Sequence, residues 1–253
     1  MLLIKKNPTN NGSRWTKIYV NYLKKYKKNN LIIVKNKSGR NNSGQITTRH
    51  RRSVNTLSLK YSTVFFSNLF LVVSFFNLKR GFYPVMELVD FNKNFYYSPR
   101  ISGLFIGDFI KNFPMFLTDD IINYLGSTTT INRLFLGFIF CNIKLNNKNK
   151  ISTSSGSYCL LLSNDFNLSL SKVILPSGKN KIIKINTVCT IGRISNENKK
   201  NVNYGKAGIL NNLGNRPTVR GVAMNPVYHP HGGRTKTNSP EKSPWGWVTK
   251  NNK

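Results

Sequence analysis

Apolar residues are concentrated in the middle of the chain, where their spacing predicts β-strands. Residues 56–126 are rich in apolar and aromatic side chains, and Val64–Phe76 is the most apolar run among them. This run is too short for a membrane-spanning helix and is interrupted by polar residues, so it predicts two buried β segments. Farther along, Pro84–Phe91 and Ile101–Ile106 predict two strands, with a turn at Ser98–Arg100 between them.

A second set of short apolar segments follows a Ser/Thr cluster at Ser127–Ile131, which we interpret as a domain boundary. Its first strand is predicted at Leu134–Ile143, and Cys189–Gly192 is predicted to close the set. Further strands are predicted at Tyr158–Leu162, Ser169–Leu175 and Lys181–Ile185, with a turn at Pro176–Lys179 between the last two. Short strands at close spacing are typical of a small all-β domain.

The two ends of the chain lack this apolar pattern and are basic. Residues 205–246 contain many glycines and prolines but almost no helix or strand period, which predicts an extended segment. Its charged residues are Lys206, Arg216, Arg220, Arg234, Lys236 and Lys242 against one acid, Glu241. Residues 1–54 contain no acid at all, so we expect them to become ordered only on a polyanion.

Aromatic residues alternate with cations in the N-terminal segment, at Trp15, Tyr19, Tyr22 and Tyr26. This interleaving permits two interpretations. The rings could stack on unpaired bases, or residues 15–28 could form a short helix whose aromatic side chains pack on protein. The sequence favours neither.

Composition narrows the class of partner. The chain has 253 residues, 39% of them hydrophobic, which fits two small domains with basic extensions better than one large core. The formal net charge of +31 and a pI near 10.4 would disfavour compaction of an ordinary enzyme by self-repulsion, so nucleic acid is the expected partner. The cations are spread along the whole chain, which argues against a membrane-surface helix.

The cysteines and the N-terminus give little chemistry. Cys141, Cys159 and Cys189 form no CxxC pair and have no clustered histidine, so neither a zinc site nor a disulfide framework is predicted. Cysteines without a predicted disulfide or zinc site indicate a reducing compartment. Met1–Gly12 has neither an apolar signal core nor an Arg-rich amphipathic presequence, so an import signal is not predicted there.

Several short motifs occur in one order along the chain. They are Ser38–Gly44 with Ile46, Thr47, Arg49 and His50, then Leu175–Gly178, Cys189–Gly192, Asn196, Gly205–Gly208, Leu213 with Gly214, Arg216–Gly221, Ala223–Val227, His229–Gly233 and Ser243–Gly246. In these motifs the chain resembles the bacterial type of the large-subunit ribosomal protein two family. The resemblance implies an oligonucleotide-binding-like small barrel followed by a Src-homology-three-like barrel, with long basic N- and C-terminal extensions.

We therefore expect a mainly β chain of four parts. These are an RNA-binding extension at residues 1–54, the oligonucleotide-binding-like barrel at 55–128, the Src-homology-three-like barrel at 129–203 and an extended tail at 204–253. The resemblance implies a structural protein that binds large-subunit ribosomal RNA near the peptidyl-transferase region and contacts neighbouring ribosomal proteins. It implies neither membrane insertion nor a homo-oligomer.

Codon bias adds an expectation about the compartment. The abundance of Asn, Lys, Ile and Phe is what AT-rich codons give. Together with the bacterial-type motifs, it suggests a protein encoded in a mitochondrion and placed on the mitochondrial ribosome in the matrix.

The predicted RNA-binding residues lie in both extensions. They are Arg40, Asn41, Asn42, Arg49, His50, Arg51, Arg52, Lys206, Arg216, Arg220, Asn225, His229, His231, Gly232, Gly233, Arg234 and Trp245. The glycines let the backbone approach RNA closely, the cations neutralise phosphates, and the imidazoles and indole can stack on bases. Gly232 is expected either to have a positive φ or to touch RNA directly. Trp245 could instead be a packing anchor that pins the tail to a barrel.

Catalysis is not expected. His229 and His231 are separated by Pro230 and cannot share a helical face, and Glu241 is the one nearby carboxylate that could orient either imidazole. No catalytic residue, metal site or cofactor is predicted, although structural Mg²⁺ ions could be bound by the RNA. Two rival functions stay open, a free-standing RNA-binding processing factor and an enzyme that uses His229.

Overall fold

The computed structural model describes residues 3–19, 31–35, 37–53, 55–59, 69–78, 83–112, 125–145, 150–233 and 241–249. The chain divides into two compact units. The barrel unit comprises Met1–Asn36 and Asn55–Lys206, and the extension unit comprises Lys37–Val54 and Ala207–Lys253. All of the described strands belong to the barrel unit.

The described elements are mainly β-strands. In chain order they are β1 (Leu3–Lys5), α1 (Asn11–Arg14), β2 (Lys17–Tyr19), β3 (Leu31–Lys35), β4 (Asn55–Leu59), β5 (Leu69–Leu78), β6 (Tyr83–Val89), β7 (Phe95–Pro99), β8 (Phe109–Lys111), β9 (Thr128–Thr130), β10 (Ile139–Lys144), β11 (Lys150–Ile151), β12 (Cys159–Asp165), β13 (Leu170–Ile174), β14 (Asn180–Lys184), β15 (Val188–Ile191) and α2 (Ala207–Asn212). Single 3₁₀ turns occur at Ile131–Arg133, Glu197–Asn201 and Gly221–Ala223. The predicted fold class, mainly β with two small barrels, is confirmed.

The first barrel is built on an antiparallel sheet of four strands in the order β7-β6-β5-β8. Phe70 and Val72 on β5 are buried, whereas Val73 is 38% exposed. A bulge between Val72 and Ser74 shifts the alternation by one residue and returns Phe75 to the core. The core contains Phe70, Val72, Phe75, Met86, Leu88, Ile101, Leu104, Ile110, Cys141 and Ile194.

The most apolar run was predicted to form two buried β segments, and its described part is confirmed as buried β-structure but as one strand. Residues 69–76 belong to the single strand β5, with Phe70, Val72 and Phe75 inside the core. Residues 64–68 lie outside the described residues. Within the described part of the chain, no helix is long and apolar enough to cross a membrane.

The turn predicted at Ser98–Arg100 was wrong, because Ser98 and Pro99 belong to β7. The chain turns earlier, at 90–94, where the Asp90 carboxylate accepts the Phe91 N–H at 2.8 Å and Lys93 has a φ of 60°. An Asp side chain that bonds the next N–H favours a turn over a continuing strand. The strand predicted at Ile101–Ile106 was also wrong, since Ile101 makes one bridge, to Ile194, before the chain turns at Gly103.

The second barrel is built on a sheet in the order β14-β13-β12-β10-β15-β9, with β11 also paired to β10. The turn predicted between the strands at 170–184 is confirmed: the Leu175 N–H donates to Lys179 at 2.9 Å, and Gly178 has a φ of 82°. Strand β15 pairs with both β10 and β9, as predicted for the closing strand. The core contains Ile131, Leu134, Phe140, Ile143, Cys159, Leu161, Val173, Ile183, Cys189 and Ile191.

One strand in this barrel begins later than predicted, and another was not predicted. Strand β10 begins at Ile139, because residues 135–138 form a turn that closes with a 3.2 Å bond from the Phe138 N–H to the Phe135 carbonyl. The Ser/Thr cluster taken as a domain boundary contains strand β9, Thr128–Thr130. Threonine is β-branched and favours strands, so a polar cluster need not be a loop.

Strand β10 is shared by the two cores. Cys141 belongs to the first core, whereas Phe140 and Ile143 belong to the second. Adjacent side chains of a strand point to opposite faces, and the irregular register between Cys141 and Lys144 returns Ile143 to the side of Phe140. The thiols of Cys141, Cys159 and Cys189 are all buried.

The N-terminal residues form a small hairpin in the barrel unit. Strands β1 and β2 pair across α1, and Lys17 forms a two-bond bridge with Asn203 at 2.8 and 3.0 Å. The alternative of a helix over residues 15–28 is therefore wrong at 17–19, and Trp15 is 67% exposed. Residues 20–28, with Tyr22 and Tyr26, lie outside the described residues.

Candidate nucleic-acid interface

Two segments that are distant in the sequence meet in the extension unit. Arg51 and Asn215 form an antiparallel bridge, and the Arg51 guanidinium also donates to the Asn215 side-chain oxygen. On either side of this bridge the Arg52 N–H donates to Gly214 at 3.0 Å, and the Arg216 N–H donates to His50 at 2.9 Å. This pairing places His50, Arg51 and Arg52 beside Arg216.

The N-terminal segment of the unit is a loop fixed by its own hydrogen bonds. The carbonyl of Gly39 accepts the N–H groups of Thr47 and Thr48 at 2.9 and 3.0 Å. Gly39 has a φ of 78°, and a Cβ there would lie 2.0 Å from the Thr48 carbonyl oxygen, so the turn requires glycine. The Asn41 side chain accepts the Gln45 N–H at 2.9 Å. The loop thus holds the exposed side chain of Arg40 at a fixed turn.

The C-terminal segment begins with a short helix that the sequence pattern did not predict. Helix α2 ends at Asn212 and is followed by Gly214 at a φ of 94°, and the Asn215 N–H donates to the Leu210 carbonyl at 3.0 Å. A left-handed glycine of this kind is a common helix C-cap. After it the chain carries no helix or strand up to the turn at Gly221–Ala223, and the side chains of Arg216 and Arg220 are exposed.

Backbone donors fix the orientation of the two histidine rings. Nδ1 of His229 accepts the His231 N–H at 3.0 Å, and Nε2 of His231 accepts the Lys242 N–H at 2.9 Å. A neutral imidazole that accepts at one nitrogen carries its proton on the other. His229 therefore presents Nε2–H and His231 presents Nδ1–H as donors.

Glycines allow the histidine segment to fold closely on itself. A Cβ on Gly221 would lie 2.5 Å from the His229 ring, and one on Gly232 would lie 2.3 Å from the Asn225 carbonyl oxygen. Of the two alternatives predicted for Gly232, the positive φ is excluded, since it is Gly233 that has a φ of 78°. Direct contact of Gly232 with RNA stays a prediction. What requires glycine at position 232 is the approach of another stretch of backbone.

Trp245 is too exposed to be a buried packing anchor. Trp245 is 72% exposed, and the Arg49 guanidinium lies 4.3 Å from the centre of the Trp245 ring. One face of the indole is thus covered by a cation from the other segment of the unit. Trp247, which the sequence analysis missed, is 75% exposed two residues later. Its position beside Trp245 in an acid-poor segment was the available signal.

The extension unit is strongly cationic. Its described residues contain one acid, Glu241, against Lys37, Arg40, Arg49, Arg51, Arg52, Arg216, Arg220 and Lys242. Such an imbalance creates a positive potential that favours a polyanion. Among the described residues, no group of His, Cys, Asp and Glu could hold a metal ion.

The structure brings most of the predicted RNA-binding residues into this one unit. They are Arg40, Asn41, Asn42, Arg49, His50, Arg51, Arg52, Arg216, Arg220, Asn225, His229, His231, Gly232, Gly233 and Trp245. Lys206 belongs to the barrel unit, and Arg234 lies outside the described residues. The RNA-binding role of these residues stays a prediction.

Comparison with known proteins supplies relatives along most of the chain. Residues 124–246 match the family described as Ribosomal Proteins L2, C-terminal domain. The chain is 36% identical over 221 residues to the large ribosomal subunit protein uL2m of Reclinomonas americana, an alignment that covers 84% of this chain and 78% of that protein. It is 32% identical over 243 residues to the large ribosomal subunit protein uL2 of Neorickettsia sennetsu, covering 88% and 82%.

Proposed function

We propose that the extension unit binds and stabilises large-subunit ribosomal RNA, because the chain belongs to the ribosomal protein L2 family. Membership of this family makes the chain a structural ribosomal protein and not an enzyme. The observation that carries the proposal is the pairing of residues 50–52 with residues 214–216 in an exposed, acid-poor unit. Two basic segments that pair in this way present one continuous cationic surface.

The surface combines three kinds of RNA contact. Arg51, Arg52 and Arg216 neutralise neighbouring phosphates and release counterions. The N–H groups that His229 and His231 present can donate to base edges or phosphates. Trp245, with one face covered by Arg49, offers its other face for stacking on an unpaired base.

The finer placement follows from the family resemblance. We propose that the protein lies near the peptidyl-transferase region, contacts neighbouring ribosomal proteins and supports assembly of the subunit, while RNA performs the chemistry. Structural Mg²⁺ would be bound by that RNA. We also propose that it acts on a mitochondrial ribosome, because of its codon bias and its similarity to the uL2m protein of Reclinomonas americana.

Arg216→Ala and Arg220→Ala test the cationic surface. The two residues lie four positions apart, about 13 Å in an extended chain, so each should contact its own phosphate. We expect each variant to lower the slope of log K against log salt by about one, and the double variant by about two. The measurement is filter binding of the full chain to large-subunit ribosomal RNA. The control is Lys172→Gln. Lys172 is an exposed cation on β13, so this substitution removes the same charge from the barrel unit.

Unchanged affinity and slope in the double variant would contradict the proposal. Co-sedimentation separates it from the free-standing factor, since a structural protein should stay on large subunits in high salt, whereas a loose factor should wash off.

His229→Ala tests an architectural role against direct participation in peptide transfer. The change removes the acceptor of the His231 N–H and should weaken the histidine segment, so assembly should fall more than the rate of transfer. The measurement compares the yield of assembled subunits with the rate of peptide-bond formation in them. Normal assembly combined with lost transfer would contradict the architectural role.

A further inference from the structure

Strand β14 forms an open edge of the second barrel. It is the first strand in the order β14-β13-β12-β10-β15-β9, so among the described strands it has a neighbour, β13, on one side only. Its residues, Asn180–Lys184, pair with those of β13 without a shift in register. A strand in this position carries backbone groups that a further strand could bind.

The register shows which backbone groups face the open edge. The Ile185 N–H donates to the Ser169 carbonyl at 3.0 Å, which continues the ladder of β13 and β14 as a bonded pair. Bonded and non-bonded pairs alternate along an antiparallel ladder, so the N–H and C=O groups of Asn180 and Ile182 point away from β13. In the described part of the chain, no residue bonds to these groups.

The outer face of this edge is apolar at its centre. Ile182 is 64% exposed, whereas the next residue, Ile183, lies in the barrel core. Leu170 and Ile174 occupy the diagonal positions on β13, close enough to contact the same neighbour as Ile182, and both are half-buried. A strand added beside β14 would therefore meet an apolar strip.

The charges along the edge are all positive. Lys179, Lys181 and Lys184 are exposed, and residues 170–185 contain no acid. Lysines on an edge strand oppose pairing with a second copy of the same edge, because like charges would meet. They favour a segment that brings carboxylates on either side of an apolar residue.

The backbone pattern of the edge favours protein over RNA. Asn180 and Ile182 each present one donor and one acceptor, and two residues of a strand span about 6.8 Å, which is the repeat of another strand. A phosphate group accepts hydrogen bonds but does not donate them, so it would leave both carbonyl groups unpaired. The exposed Ile182 side chain offers a phosphate no polar contact.

We infer that β14 binds an extended, acidic segment of a neighbouring ribosomal protein, which adds a strand to the sheet of the second barrel. Backbone bonds to Asn180 and Ile182 hold the segment, an apolar side chain covers Ile182, and carboxylates pair with Lys181 and Lys184. This inference rests on the proposed function, since it names the surface and the chemistry of one protein contact proposed there.

The first experiment identifies what lies beside β14 in large subunits. Photoreactive benzoylphenylalanine takes the place of Asn180, which leaves Ile182 unchanged, and the full chain is assembled into subunits and irradiated. Mass spectrometry should find an adduct to a segment of another protein in which Asp or Glu flanks an apolar residue. An adduct to RNA, to a second copy of this chain or to a segment without these acids would overturn the inference, and so would the absence of an adduct.

The second experiment measures strand addition to the free full chain by fluorescence anisotropy. The probe is a labelled peptide of alternating valine and glutamate, and its counterpart with proline for each valine has the same charge but cannot pair as a strand. The valine peptide should bind more tightly. Ile182→Pro should weaken its binding about fivefold, because an outward N–H is lost, and should leave binding of the proline peptide unchanged.

Ile182→Val is the matched control. It keeps the N–H and a β-branched apolar side chain, so its affinity for the valine peptide should stay within about twofold of that of the wild type. Proline is tolerated on an edge strand where its nitrogen faces solvent, so Ile182→Pro should fold, which circular dichroism checks. If it does not fold, the adduct decides the question. Equal binding of the two peptides by the wild type, or equal losses in the two Ile182 variants, would contradict strand addition.

Failure of the proposed function gives a different result. Ile182→Pro should keep its affinity for large-subunit ribosomal RNA, because β14 belongs to the barrel unit and not to the extension unit. If only this inference fails, Arg216→Ala and Arg220→Ala still weaken RNA binding while the adduct and peptide results are negative. If the proposed function fails, those two variants leave RNA binding unchanged.

Discussion

Close backbone packing, not backbone conformation, makes Gly232 necessary. We predict that Gly232→Ala weakens binding to large-subunit ribosomal RNA, because a Cβ would lie 2.3 Å from the Asn225 carbonyl oxygen. Overpacking of this kind costs about 1–3 kcal/mol, here by moving the histidine segment. The measurement is the RNA affinity of the full chain.

Gly208 supplies the matched control. It lies in α2, where a Cβ would meet nothing within 4 Å. Gly208→Ala should therefore leave RNA affinity unchanged or slightly improved, since alanine favours a helix by about 0.5–1 kcal/mol. Equal effects of the two substitutions would contradict the packing explanation.

Single residues were predictable from the sequence where a motif named them. The motifs contain His50 and Arg216, and Arg51 follows His50 directly; the structure brings these three residues side by side, while their RNA-binding role stays a prediction. They did not reveal that the Asn225 backbone crowds Gly232, because contacts between distant stretches of chain are known only once the fold is known. Trp247 was missed because it lies outside every motif, although its exposure equals that of Trp245 within a few per cent.

The strands that carry cysteine determine how the barrel unit responds to alkali. Burial raises the pKa of Cys141 on β10 to about 12 and that of Cys159 on β12 to about 11, from an ordinary value of 9.0. A raised folded pKa means that the thiol form is stabilised by folding. This stability is present below pH 9 and is lost as pH rises through 11 to 12.

We therefore predict that the folded chain does not react with a thiol reagent at pH 8 and that its unfolding temperature falls above pH 9. The measurements are labelling by a disulfide reagent and thermal unfolding at stepped pH. Denatured chain, which should label at Cys141, Cys159 and Cys189, is the control. Rapid labelling of the folded chain would contradict the burial of these strands.

Whole elements were predictable where local turn chemistry determined them. The hairpin of β13 and β14 was predicted because its turn, Pro176–Lys179, is formed by bonds between neighbouring residues. Strand β9 was missed because its threonines also suit loops, and its strand form depends on pairing with β15. The bulge in β5 likewise depends on pairing with β6, and the local sequence pattern does not predict that pairing.

At the scale of the molecule, the two units differ in how much they bury. Among the described residues of the extension unit, Gly214 and Gly232 are the buried ones, and neither has a side chain. We predict that without RNA the amides of this unit exchange rapidly, because the buried area cannot offset the entropy of ordering. The amides of β5, β10 and β12 should be protected in the same sample.

Hydrogen exchange of the full chain, free and bound to large-subunit RNA, measures this difference. Protection of Arg52 and Arg216 should appear on binding, since their N–H groups make the bonds that join the two segments. Strong protection of both in the free chain would show that the unit folds without RNA. The division into four parts predicted from the sequence stays a prediction.

The pairing of the two basic segments was beyond prediction from sequence. Each segment reads as an irregular loop, and the bridge between Arg51 and Asn215 spans 164 positions. A contact between residues so far apart in the sequence depends on how the intervening chain folds. Recognition of similar motifs in both segments indicated a shared partner but not a shared unit.

The bridge between Arg51 and Asn215 also has a consequence for biosynthesis. A chain is made from its N-terminus, and domains fold as units during synthesis, so the barrels are complete before the second segment of the extension unit exists. A product that stalls before residue 215 lacks the residue that pairs with Arg51. Under the proposed function, the order of the segments would act as proofreading, because only a finished chain would compete well for a place in the ribosome.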